Sequence, residues 1–367
     1  MKKVGIIGLG LIGGSIALSL KKKNSAVVYG LDTDAETAAE ALHVGAVDEL
    51  RDSLKELAAS AELLIAAVPL SSIDAVFREI ADCLRDDLTV TDVCSLKMPV
   101  VRAAENILPS TENFIGGHPM AGSEKGGFKS ASHELFIGRT YILTPTEKTS
   151  ERAIKDAHWL IKELGARPAV LSPEEHDAAV AYSSHLPHVL SWSFVGLMNR
   201  DPMLETAAKF GGPSFRDITR ISMAPSDLWS QILIRNREKV AIMIEELMQE
   251  LENFRKILIS SDEKKLRFLI ETMREKRMEI SRAIEAGEVL YRVEVVLMNR
   301  PGELAAVTAA LGREGINIEN IEMVHGEGQG LLFIDIANYE ASQKAADILR
   351  KKGYEVTVQS FESGLDD

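Results

Sequence analysis

The chain has 367 residues, 46% of them hydrophobic and 26% charged; that length exceeds what one core usually serves, so about two to three globular domains are expected, and a disordered or fibrous chain is excluded. A net charge of −13 argues against a nucleic-acid partner, so any anionic ligand must meet Arg, Lys or His placed locally. Two cysteines, Cys83 and Cys94, are too few for a disulfide framework and fit a reducing, cytoplasmic setting, and no stretch is long and apolar enough to suggest a membrane span.

Lys2 and Lys3 precede an uncharged run from Val4 to Leu20 that superficially resembles a signal peptide, but glycines interrupt it and Lys21 to Lys23 stand where a small-residue cleavage site would begin. Residues 3–7 read instead as a buried strand that runs into Gly8-Leu9-Gly10-Leu11-Ile12-Gly13 and a helix over 15–23. Gly8 permits a tight turn, Gly10 lets backbone approach a pyrophosphate, Gly13 lets helix pack on strand, and Leu11 and Ile12 open a helix whose N–H groups face the anion. A second strand, 26–31, delivers Asp32 about twenty residues downstream, where an acid accepts from ribose hydroxyls. Asp32 would repel the extra phosphate of NADP and Thr33 follows it rather than an arginine, so NAD is expected over NADP; the competing role for Asp32 is a turn or cap before the next helix. Further strands expected over 62–68, 88–93 and 140–143 alternate with helices, as an α/β, doubly wound parallel sheet requires, with Val68 and Pro69 at its cofactor edge.

Asp92-Val93-Cys94-Ser95-Leu96-Lys97 and Gly116-Gly117-His118-Pro119-Met120-Ala121-Gly122-Ser123-Glu124-Lys125 both leave apolar runs and turn polar. Ligands bind outside the carboxyl ends of such strands, so Ser95 and His118 are expected beside the nicotinamide. His118, read as lying in a loop between Gly and Pro, suits removal of a proton from an alcohol. Ser172-Pro173-Glu174-Glu175 has the form of a capping box and should start a helical domain. His185 and His188 share a helix face at three-residue spacing; no HExxH, paired cysteine or carboxylate cluster joins them, so no metal is expected and they are read as lining the substrate side. Phe215-Arg216-Asp217-Ile218-Thr219-Arg220 offers guanidinium groups able to clasp carboxylates. Val240, Met243, Leu247, Leu251, Phe254 and Leu258 form an apolar stripe on a long helix, either internal core or a subunit seam. After Gly287 apolar alternation begins, and the order becomes strand, helix, strand, strand, helix, strand, with a Pro301-Gly302 turn before the first helix.

Together GGHPMAGSEKGG, DVCSLK, SHLPH and FRDITRI resemble the prephenate and arogenate dehydrogenase family over essentially the whole chain, and the NRPGEL turn with Gly315-Ile316-Asn317-Ile318 resembles an ACT domain. The resemblance implies a Rossmann domain over 1–171, an all-helical substrate and dimerisation domain over 172–288, and a C-terminal α+β (βαββαβ) ACT-like regulatory domain over 289–367. It implies that His118 takes the proton of the substrate ring hydroxyl while hydride leaves for NAD, that Ser95 shares that hydroxyl, and that Arg220 binds a carboxylate with Asp217 nearby. Lys97 would contact cofactor or substrate carboxylate, and Glu124 would gate or orient the cleft. Prephenate would yield 4-hydroxyphenylpyruvate and carbon dioxide; arogenate would yield tyrosine. A homodimer is implied, as is tyrosine as an effector at Asn299, Pro301, Gly302, Leu304, Asn317 and Ile318, although a plain turn before a helix accounts equally for Pro301-Gly302. Cys94 stands where the family usually has glycine. Related reductases such as β-hydroxyacid dehydrogenases would need a helical-domain lysine in place of the histidine motifs; a nucleotide and amino-acid sensor without catalysis is the alternative of another class.

Overall fold

Short apolar runs such as residues 4–7, closed by Gly8, and Ala26–Leu31, closed by Asp32, become strands of the first of two units, Met1–Glu252. The structure, a computed structural model, describes residues 1–122, 126–200, 202–286, 289–298, 300–318, 320–325, 329–336 and 339–362. Among these the first unit holds β1 (Lys2–Ile7), β2 (Ala26–Leu31), β3 (Glu49–Leu50), β4 (Leu63–Ala66), β5 (Thr89–Asp92), β6 (Phe114–Pro119), β7 (Thr140–Thr144) and β8 (Arg167–Val170), in the sheet order β3-β2-β1-β4-β5-β6-β7-β8. Between them run α1 (Leu11–Lys22), α2 (Ala35–His43), α3 (Leu54–Ser60), α4 (Ile73–Ile80), α5 (Met98–Ile107) and α6 (Glu151–Leu164).

Alternate residues of a strand face opposite sides of a sheet, and here both sides are buried. Leu63 and Ile65 of β4 join a core with α1 and α6 residues such as Ile16 and Leu160, while Leu64 and Ala66 join another with Leu57, Phe77 and Val100 from α3, α4 and α5. The result is the doubly wound Rossmann arrangement, parallel from β3 to β6. One step departs from the parallel expectation: β7 runs antiparallel to β6, pairing His118 with Ile142. His118 therefore sits in a strand, not in a loop. Gly116 and Gly117 are there because the neighbours leave no room. A Cβ on Gly116 would lie 2.3 Å from Thr144 Oγ1, and one on Gly117 would lie 2.8 Å from the Asp92 carbonyl.

Beyond the sheet the chain is helical: α7 (Pro173–Val180), a π-helical turn over Ala181–His185, α8 (Leu186–Gly196), α9 (Pro202–Ala208), α10 (Pro213–Arg220), α11 (Ser226–Arg235) and α12 (Arg237–Ile259), within which the first unit ends. The capping box at Ser172 is formed, with its hydroxyl accepting from Glu175 N and Glu175 reaching back to the Ser172 N–H.

The second unit, Asn253–Asp367, contains α13 (Glu263–Ala286), β9 (Val289–Met298), α14 (Glu303–Arg313), β10 (Asn320–His325), β11 (Gln329–Ile336), α15 (Tyr339–Lys351) and β12 (Glu355–Glu362). Its sheet is antiparallel in the order β10-β11-β9-β12. Val293, Val295 and Leu297 of β9 pack with Leu311 of α14 and Leu349 of α15, as a βαββαβ unit with helices on one face requires.

Candidate active site

Gly8 turns the chain out of β1 with φ +87°, and a Cβ there would lie 2.4 Å from the Ala67 carbonyl. At Gly13 a Cβ would lie 1.9 Å from the Gly8 carbonyl, so the outer two glycines serve the turn and the helix–strand contact. Gly10 differs: its chain neighbours aside, no heavy atom lies within 4 Å of its Cβ position, which leaves open space at the start of α1, beside Leu11 and Ile12, for a bound anion. Asp32 accepts from Leu9 N at 2.6 Å and, through its other oxygen, from Asp34 N at 2.8 Å. The helix cap is Asp34, whose side chain accepts from Glu36 N. Asp32 thus braces the glycine turn, and each of its oxygens keeps a lone pair for a hydroxyl donor. Val68 and Pro69 follow β4 at the same edge, and the buried Cys94 thiol donates to Val68 O at 3.6 Å. Burial raises the Cys94 thiol far above its ordinary range and keeps it protonated and unreactive.

At the end of β5, Asp92 is completely buried and accepts from Cys94 N at 2.9 Å and Gly117 N at 3.2 Å. It pairs with the ammonium of Lys97, which also donates to the Gly117 carbonyl. Lys97 is thereby spent inside the protein, with no exposed surface for cofactor or substrate, contrary to the sequence expectation. What the pair does is clamp the loop carrying Ser95 to the strand carrying His118.

His118 Nδ1 lies 2.8 Å from His176 Nε2, and His176 Nδ1 lies 2.8 Å from Asp177 Oδ1. Asp177 also accepts from Lys97 N at 2.8 Å and Met98 N at 3.0 Å, so α7 caps the start of α5 and locks the helical region onto the sheet. Burial, followed by the Lys97 charge and the imidazoles of His176 and His185, holds His118 well below the usual histidine range and hence neutral. His185 ends the π-helical turn, buried, with Asn236 Nδ2 3.2 Å from its Nδ1. Burial pushes its pKa down to about 4, against the opposing pull of Asp177.

Ser95, His118, Gly122, His185, Trp229 and Ile232 line one cavity of about 350 Å³. His188 stacks on Trp229 at 3.6 Å, and its Nδ1–H donates to Ser184 O at 2.9 Å, so it backs the cavity's aromatic wall. Arg220 is elsewhere: it lines a separate, open cavity of about 440 Å³ with Phe215 and Asp217. Glu124 and Asn299 lie outside the described residues. Sequence reasoning missed Asp92, His176, Asp177, Trp229 and Asn236. In Glu174-Glu175-His176-Asp177 the charges read as a solvated helix start, and only the histidine–acid adjacency hinted otherwise. Among the described residues no three His, Cys, Asp or Glu side chains gather as a metal site, and no helix is long and apolar enough to cross a membrane.

The nucleotide-binding domain model of prephenate dehydrogenase matches residues 16–170, and its dimerization domain model matches 172–275. The chain belongs to the prephenate dehydrogenase family. An ACT domain model matches residues 291–353. A prephenate dehydrogenase of Bacillus subtilis is 35% identical over 323 residues, covering 87% of each chain. Among solved structures, that of Aquifex aeolicus prephenate dehydrogenase with hydroxyphenyl propionate and NAD+ superposes with a TM-score of 0.71 at 31% identity, covering 76% of this chain and 98% of that one. A Synechocystis arogenate dehydrogenase gives 0.69 at 27% identity, covering 76% and 99%.

In the ACT-like unit, Gly302 takes φ +93° at the start of α14, beside exposed Pro301 and Leu304. Asn317 and Ile318 follow the other end of this 11-residue helix, which is about 16 Å long at 1.5 Å per residue. One copy of the unit therefore separates the two expected effector segments by the length of a helix.

Proposed function

We propose that this protein is an NAD-dependent prephenate dehydrogenase, which oxidises prephenate to 4-hydroxyphenylpyruvate and carbon dioxide. The observation that carries the reading is a neutral, buried His118 facing a cavity with Ser95, at the strand edge where the glycine turn and Asp32 prepare a dinucleotide site. NAD, when bound, supplies the hydride acceptor. The protein's part is to orient the ring and handle one proton. Ser95 and His118 meet the ring hydroxyl, and His118 takes its proton as the carbon–hydrogen bond breaks. The resulting ketone draws the electrons of the ring carboxylate bond, carbon dioxide leaves, and the ring becomes a phenol. Trp229 supplies a flat wall for that ring.

Arogenate is the second reading, favoured by the likeness to the Synechocystis enzyme; it differs from prephenate by an amino group in place of the side-chain keto group. Tyrosine is the effector we assign to the ACT-like unit, at Pro301, Gly302, Leu304, Asn317 and Ile318 and at Asn299. Since one copy holds these segments a helix length apart, a paired site between two copies suits them better. A homodimer is supported by the expected seam of α12, where Leu251 and Leu258 are 55% and 59% exposed and only Val240 is buried. Arg220 is assigned to a substrate carboxylate on the family motif alone. The matched ranges support division into parts at 1–171, 172–288 and 289–367, and the two free cysteines are in keeping with the cytoplasm.

The variant His118→Asn tests the central role. Turnover should fall by about 10²- to 10⁴-fold, the usual range for a general base, while NAD affinity stays within about twofold. Full turnover in that variant would remove His118 from the mechanism.

A further inference from the structure

Asp177 is buried at 2% exposure, and both its carboxylate and its backbone carbonyl lead, through one side chain each, to an imidazole of the cavity. The carboxylate path begins at Oδ1. That oxygen only accepts, so His176 presents Nδ1–H to it across 2.8 Å, and a neutral His176 then has a bare lone pair on Nε2. The His118 Nδ1 opposite, 2.8 Å away, must donate. The proton of a neutral His118 is therefore on Nδ1, and its lone pair is on Nε2.

The carbonyl path reaches His185. Asp177 O can only accept, so the Asn236 atom 2.8 Å from it is the amide nitrogen, which fixes the orientation of that side chain. The same nitrogen lies 3.2 Å from His185 Nδ1 and has a second hydrogen to give. His185 Nδ1 accepts it, and the proton of His185 is on Nε2.

We propose that Asp177 is a positioning residue that sets the two cavity imidazoles in opposite tautomers, His118 as a proton acceptor at Nε2 and His185 as a proton donor at Nε2. The chemical use of this polarity rests on the dehydrogenase reading: the acceptor takes the hydroxyl proton, and the donor meets an anionic or keto oxygen of the same substrate. For a neutral His176, the tautomers themselves follow from the hydrogen bonds.

The carboxylate path also solves a charge problem. The groups facing His118 are the Asp92–Lys97 pair from the end of β5, His176 with Asp177 from α7, and His185 from the π-helical turn. Lys97 and burial both resist a second proton on His118. As Nε2 gains the substrate proton, the Nδ1 proton passes to His176 Nε2. The substrate O–H and the His118 Nδ1–H bonds break, N–H bonds form at His118 Nε2 and His176 Nε2, and the positive charge passes to His176, already hydrogen-bonded to the Asp177 carboxylate. Asp177 remains ionised throughout.

The test is nitrogen NMR of isotope-labelled histidines in the full-length resting protein, with eight histidines to assign. His118 should show a protonated Nδ1 and bare Nε2, and His185 the reverse; the same tautomer at both would overturn the proposal. This readout needs no substrate, so it stands or fails separately from the assignment of prephenate. Kinetics supply the second measurement. His176→Leu removes the acceptor and should lower kcat by about 10²-fold with little change in KM, whereas His176→Gln, which can still accept from Nδ1, should recover most of that loss and shift the acid limb of the pH profile. Asn236→Leu should instead raise KM, by about tenfold, more than it lowers kcat. Equal losses in His176→Leu and His176→Gln, with unmoved pH profiles, would mean that His176 only fills space.

Discussion

In the proposed reaction His118 can act as a base because burial and neighbouring charge keep it neutral, not because histidine ordinarily is. The sign of the effect fixes a prediction. A base held below the ordinary histidine value of 6.5 stays competent as the pH falls through that value, so kcat/KM should be flat across pH 6.5 and its acid limb should lie lower. An acid limb centred at or above 6.5 would contradict the burial argument. The same depression costs stability in acid, because the unfolded chain takes up the proton first; that contribution is lost as the pH falls from 6.5 toward the folded value. At this scale the sequence was legible where a residue type has one chemistry. Gly8 and Gly13 occupy positions of the turn where a Cβ has no room, and Asp32 braces that turn. It was illegible where burial reverses the usual meaning: Lys97 looks like a surface cation and is an internal clamp, and His176 looks solvated and is enclosed.

Elements read from periodicity appear close to where expected. The strands expected over 62–68, 88–93 and 140–143 are β4, β5 and β7, with each end within two residues of the expected one. β6 escaped because Phe-Ile-Gly-Gly-His-Pro has neither alternation nor β-branched continuity beyond Ile115, and its glycines answer tertiary crowding by Thr144, Asp92 and Tyr141. The π-helical turn at Ala181–His185 has no sequence signature, yet it ends at His185, and such turns gather at functional sites. The cap at Ser172 was readable from four residues. Ser172→Ala should cost about 1 kcal/mol, the usual value of an N-cap, as measured by chemical denaturation. Because α7 carries His176 and Asp177, kcat should also fall; loss of stability without loss of turnover would detach the helix start from the site.

For the whole molecule, three matched regions place a dinucleotide domain, a helical domain and an ACT domain in one chain. If the exposed seam of α12 and the split effector segments both need a second copy, the mass in solution should be twice 40.2 kDa, and saturating tyrosine should raise Tm and lower turnover. A monomer whose Tm and rate ignore tyrosine would remove both assignments. What no residue pattern declares is the choice between a keto and an amino side chain on the substrate, since one hydrogen-bonding group in the cavity can decide it. The most direct test of the central claim is therefore to offer purified protein prephenate and arogenate separately, each with NAD and NADP, while following NADH or NADPH formation and carbon dioxide release together. Fastest turnover is expected with prephenate and NAD, with one carbon dioxide released for each NADH formed; reduction without carbon dioxide, or none with any pairing, would overturn the assignment.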